Sequence, residues 1–140
     1  MMLATGLFAL ALASAPRAEA LGVWVLTDVA GKPLPRYDRP LPSLIEFETD
    51  EVFGGCATGL SFEAKARVKD DRLAVRDLAF GGTCIPNQPA FRSPEQITFR
   101  RVLEACAAEG CEAKFRGDKL SIRDQAGERL TFKRYAPVTE

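Results

Sequence analysis

Between positions 60 and 69 apolar and polar side chains alternate without exception: Leu60, Phe62, Ala64, Ala66 and Val68 against Ser61, Glu63, Lys65, Arg67 and Lys69. A period of two marks a strand with one face on a core and the other in water. Lys69-Asp70-Asp71 supplies a turn, Leu73 and Val75 resume the alternation, and it slips by one at Asp77-Leu78. A one-residue slip predicts a β-bulge, with Leu78 and Phe80 restoring the apolar face. Shorter strands are predicted at residues 23–29, 43–48, 111–116, 119–123 and 129–135, with Gly117-Asp118 and Gln125-Ala126-Gly127 as the turns joining the last three.

One segment carries the other period. Ser93 suits an N-cap, Pro94 the first helical position, and Gln96 completes an S-x-x-Q capping box. Phe99, Val102, Leu103 and Cys106 then recur at helical spacing, and Gly110 is placed to end the element. The fold class expected is α+β, mainly β: an antiparallel meander of about seven to eight strands with one α-helix, about 94–109, packed on it. Residues 31–42 and 81–89 carry most of the prolines and read as loops. Gly54-Gly55 and Gly81-Gly82 lack the strand and helix context of a nucleotide site and read as turns. The run from Glu63 to Asp77 shares its pattern of charged and apolar residues with the run from Glu112 to Asp124, so two hairpins of one design flank the helix, by duplication or by convergence.

The chain begins differently. Residues 3–15 are Leu, Ala, Phe and Gly broken only by Thr5 and Ser14, too short to span a bilayer and of signal-peptide length, and Ala18-x-Ala20 is a signal-peptidase pattern. No Lys or Arg precedes the run. The expected organisation is a signal peptide over 1–20 and a single domain over 21–140, periplasmic or secreted, with no transmembrane segment after cleavage. Nineteen Lys+Arg balance nineteen Asp+Glu, so global charge argues against a nucleic-acid or membrane partner. A monomer is expected.

The sequence holds no His, which removes the usual base of Ser and Cys hydrolases and the commonest metal ligand. Asp70-Asp71 and Asp50-Glu51 are adjacent acids on turns, not a glycosidase pair. No catalytic residue, cofactor or metal is expected. The four Cys are Cys56, Cys84, Cys106 and Cys111, without paired C-x-x-C spacing. In an oxidising compartment four cysteines form two disulfides in one of three pairings. Position favours Cys106 with Cys111, pinning the helix end to the next strand, and Cys56 with Cys84, closing the ends of the first hairpin; four free thiols are the alternative.

The mature chain resembles the META domain family, the group that includes the heat-inducible HslJ-type envelope proteins. The resemblance rests on Glu95, Phe99 and Leu103, on Gly117-Asp118-Lys119-Leu120-x-Ile122, and on Gly127, Leu130, Phe132 and Arg134. Trp24, Gly31, Phe47, Gly55-Cys56 and Thr83-Cys84 follow the family order upstream, although its Gly-Cys-Asn stands here as Gly55-Cys56-Ala57 and its Thr-x-Met-x-Cys is shortened to Thr83-Cys84. The resemblance implies a non-enzymatic envelope or secreted protein tied to stress tolerance, motility or virulence.

The functional expectation is therefore an exported protein of the envelope acting by binding or in stress maintenance, with an unknown envelope protein or an anionic envelope component as partner. An outward stripe including Arg67, Lys69, Arg116 and Arg123 is the candidate anionic-partner surface, while Glu46, Glu48, Asp50 and Glu51 gather in an earlier segment. The alternative is an inhibitor of a protease or muramidase, presenting the proline-bearing loops 32–42 and 83–89.

Overall fold

The computed structural model describes residues 19–35, 42–49, 52–85 and 93–135. Along them run β1 (Gly22–Val29), β2 (Lys32–Pro33), β3 (Leu44–Phe47), β4 (Val52–Ala57), β5 (Leu60–Lys69), β6 (Arg72–Thr83), α1 (Pro94–Glu109), β7 (Cys111–Arg116), β8 (Lys119–Arg123) and β9 (Arg129–Arg134). Each strand from β3 onward pairs antiparallel with the next, β1 pairs with β3, and β9 returns to β1, so eight strands close on themselves with β2 as a short addition to β1. The mainly β meander with one helix is as expected; its closure into a barrel joins Val29 to Leu130, a pairing with no local signature.

Alternation becomes burial. In β5, Phe62, Ala64, Ala66 and Val68 face inward while Glu63, Lys65, Arg67 and Lys69 face water. The Asp70-Asp71 turn holds both residues at positive φ, 52° and 59°, the geometry of a tight two-residue hairpin. The predicted bulge is present: Glu63 pairs with Ala79 but Lys65 with Arg76, so β6 spends one extra residue there, with Asp77 at φ 55°. A second extra residue falls at Gly81-Gly82, since Leu60 pairs with Thr83 and Phe62 with Phe80. Gly81-Gly82 is thus part of a strand and not a turn.

Gly54-Gly55 also lies in a strand, the unpredicted β4. Gly55 pairs with Ile45 of β3, and a Cβ there would run into the Leu44 carbonyl oxygen. Glycine is what lets the two backbones approach. Cys56 accordingly sits in a strand instead of a loop.

The helix spans the range the capping signals set. The Ser93 hydroxyl accepts from the Gln96 N–H at 3.1 Å, and the Gly110 N–H, at φ 76°, donates to the Cys106 carbonyl. Gln96 departs from the capping box: its Nε2 donates across to the Thr58 carbonyl at 3.2 Å, tying the helix start to the β4–β5 turn. β6 pairs with β7 only at Arg72–Glu112 and Leu73–Cys111, so the rest of β6 has no strand on that side, and α1 packs against it. The helix sends Phe99, Val102, Leu103 and Cys106 inward.

Rings fill the interior. Phe99 lies 5.9 Å from Phe62 and 5.8 Å from Phe132, while Phe53 stands 5.5 Å from Phe62 and 4.9 Å from Phe47. Phe115 continues the stack to Phe47 at 6.1 Å and to Trp24 at 5.4 Å. Both disulfides form in the favoured pairing, Cys56–Cys84 and Cys106–Cys111, the second fully buried.

Candidate interaction surface

Because inward positions are occupied by aromatic and aliphatic side chains, the chemistry available to a partner lies on the outside. Cross-strand register decides which outward side chains are neighbours, since directly opposed residues have Cβ atoms about 4.5–5.5 Å apart. One row crosses five consecutive strands: Lys69 is opposite Arg72, Arg72 opposite Glu112, Glu112 opposite Arg123, and Arg123 opposite Arg129. It holds four cations and one carboxylate, whose oxygen also meets Lys114 Nζ at 3.7 Å. Arg123 and Arg129 line a depression of about 390 Å³ with Gly31, Gly127 and Glu128. Glu128 meets Arg101 at 3.4 Å through one oxygen, and its other oxygen is buried with no hydrogen-bond partner among the described residues.

A second row lies four residues further along β7, about 13 Å at the usual strand rise. There Arg116 is opposite Lys119, Lys119 opposite Lys133, and Lys133 opposite Val25. The structure therefore brings Lys69 and Arg123 of the expected surface into one row, puts Arg67 on β5 beside it, and sets Arg116 apart in the other. Arg72, Arg129, Lys119 and Lys133 complete the two rows; only the register, not the strand pattern alone, could have sorted them. Of the acids expected to gather upstream, Glu46 lies on β3 opposite Val23, Glu48 is exposed just after that strand, and Asp50 and Glu51 lie outside the described residues.

Beside the second row, the amino-terminal chain is tied to the carboxy-terminal strand. The Trp24 Nε1 donates to the Ala20 carbonyl at 2.9 Å, and the Arg134 guanidinium stacks on the Trp24 ring at 4.1 Å while donating to the carbonyls of Leu21 and Glu19. Cleavage after Ala20, the expected boundary, takes two of these three carbonyls away and leaves the buried indole to find another acceptor.

All four cysteines are in disulfides, and among the described residues no group of three or more His, Cys, Asp or Glu side chains is arranged to hold a metal ion. Asp70 and Asp71 are exposed on their turn. No helix among the described residues is long and apolar enough to cross a membrane. Most of the loops 32–42 and 83–89 lies outside the described residues; of the second, Thr83 donates to the Ile85 carbonyl at 3.1 Å, leaving Ile85 exposed.

No protein-family model matches the chain, and no curated protein matches it. Two solved structures share the fold. One, an NMR structure, is 20% identical with a TM-score of 0.64, covering 85% of this chain and 93% of its own. The other, an NMR structure of a protein from Burkholderia xenovorans, is 18% identical with a TM-score of 0.61, covering 89% of this chain and 88% of its own. At these identities the likeness is one of fold.

Proposed function

We propose that this chain is an exported, non-enzymatic envelope protein of META type that works by binding a partner on the outside of its barrel. The observation that carries this reading is the pairing of all four cysteines around an interior already filled with rings. Disulfides persist in the periplasm or outside the cell and are rare in the cytosol. Aromatic side chains fill the interior among the described residues, and the outward rows of cations supply charged groups for recognition. Export of the precursor, its signal peptide at 1–20 and its role in envelope maintenance are parts of the same proposal.

The test is fractionation of the producing cell with amino-terminal sequencing of the purified protein. A periplasmic or secreted protein starting near Leu21, with both disulfides found by non-reducing peptide mapping, supports the reading. A cytosolic protein with four free thiols and its first residues intact overturns it.

A second reading, inhibition of an exported protease or muramidase, draws on Ile85, an exposed apolar residue one position past the disulfide-anchored Cys84. Protease–inhibitor complexes of standard interface size are among the tightest known. Titration against a protease and a muramidase with Ile85→Ser as the control separates it from the first.

A further inference from the structure

Leu21, Val25 and Tyr135 are 39, 39 and 50% exposed, and they sit together. The Tyr135 N–H donates to the Val23 carbonyl at 2.9 Å, Leu21 is held by Arg134, and Val25 is the cross-strand partner of Lys133. Leu44, half-buried, extends the apolar strip beyond Val25. On the other flank follow Lys133, Lys119 and Arg116, three cations directly opposite one another on three successive strands.

Like charges in direct cross-strand opposition destabilise a sheet. None of the three has an ion-pair partner among the described residues; Arg116 donates only to its neighbour's carbonyl, Phe115 O, at 3.2 Å. The acids nearby are Asp118 in the turn between Arg116 and Lys119, Asp28 on β1 opposite Thr131 and two residues from Lys133, Glu46 on the far side of β1 and Glu48 beyond it. The face is thus apolar along β1 from Leu21 to Val25 and cationic along the row from β7 to β9, with Asp118 and Asp28 at its two ends and Glu46 past the apolar strip.

We propose that this face docks on the surface of a bilayer containing anionic phospholipid. Tyr at the edge of an apolar strip suits the headgroup boundary, where its ring and hydroxyl meet different media. Lysine stems lie along apolar surface while their ammonium groups reach phosphate. A protein partner fits less well, because lysine is depleted from the centres of protein interfaces. The proposal deepens the reading of an exported envelope protein and rests on it for the compartment. The chain enters the fold at Glu19–Leu21, on this face.

Each cation near such a surface contributes on the order of 1 kcal/mol, which makes two of them worth roughly thirtyfold in partitioning. The protein purified from its producing cell, with its amino terminus sequenced, is co-sedimented with phosphatidylglycerol-containing vesicles and with zwitterionic phosphatidylcholine vesicles at low and physiological salt. The expected result is binding to the anionic vesicles alone, weakening as salt rises. Lys119→Ser with Lys133→Ser should lower partitioning at least about tenfold, and Val25→Ser should lower it further. Lys69→Ser with Arg123→Ser, which removes the same charge from the other row, should leave it within about twofold. No binding at low salt, equal binding to both vesicles, an equal loss in the two double variants, or self-association through this face overturns the proposal. The amino-terminal sequence reports on export independently, so one idea can fail while the other stands.

Discussion

The hairpin β5–β6 turns at Asp70-Asp71 and the hairpin β7–β8 at Gly117-Asp118, and they point corresponding residues at the core: Ala64, Leu73 and Val75 in the first, Ala113, Leu120 and Ile122 in the second. Their neighbours differ. β8 is paired along its whole length with β9, whereas β6 leaves β7 after two residues and runs on beside a helix. The aspartates that end the shared pattern record this. Asp124 is buried, and its carboxylate accepts the Glu128 N–H at 2.9 Å to fix the turn into β9. Asp77 is exposed at φ 55° in a bulge, its carboxylate 3.8 Å from Lys65 in an ion pair open to water. The same Arg-Asp pair at the end of a similar pattern becomes a turn where a strand must follow closely and a bulge where the sheet must bend to admit a helix.

The largest test of this contrast is the helix itself. Phe99→Ala should cost about 3–5 kcal/mol, because the ring joins Phe62 of the first hairpin to Phe132 of β9. Urea denaturation showing a loss below about 1 kcal/mol would mean that α1 only covers β6. Next comes the staple at the far end of the first hairpin. Replacing Cys56 and Cys84 by Ser should cost about 3–4 kcal/mol on the chain-entropy estimate for a 28-residue separation. The five-residue link Cys106–Cys111 is worth about 2 on the same estimate. The smallest effect has opposite signs at matching positions. Asp124→Ala should lose about 1–3 kcal/mol with its charge-assisted hydrogen bond. Asp77→Gly should gain up to about 1 kcal/mol by relieving a left-handed conformation. Thermal unfolding of the two variants reads the signs, and a loss at both positions would erase the distinction.

How far the chain announces this architecture depends on the range of each cause. The helix was legible because its signals are local, from Ser93 and Pro94 to Gly110, and the bulge because a slip at Asp77-Leu78 interrupts a regular period. The disulfide pairing followed from which residues end the helix and the hairpin. β4 was illegible: Val52 to Ala57 has glycines where a strand usually has branched side chains, and the need for them arises in β3, at the Leu44 carbonyl. The candidate surface was half legible. Alternation tells that Lys69, Arg116 and Arg123 face outward, but only pairing tells that Arg116 belongs with Lys133 and Val25.

Closure of the sheet through β1 and β9 sets an order on folding. During synthesis β1 emerges first, yet the ladder from Trp24 to Val29 waits for residues 130–134, the last of the described strands to appear. Such long-range pairing pays its loop-closure entropy before any contact repays it, which slows the final step. Until then the nascent chain presents two open sheet edges, and a product truncated before β9 would keep them for good, free to pair with other chains.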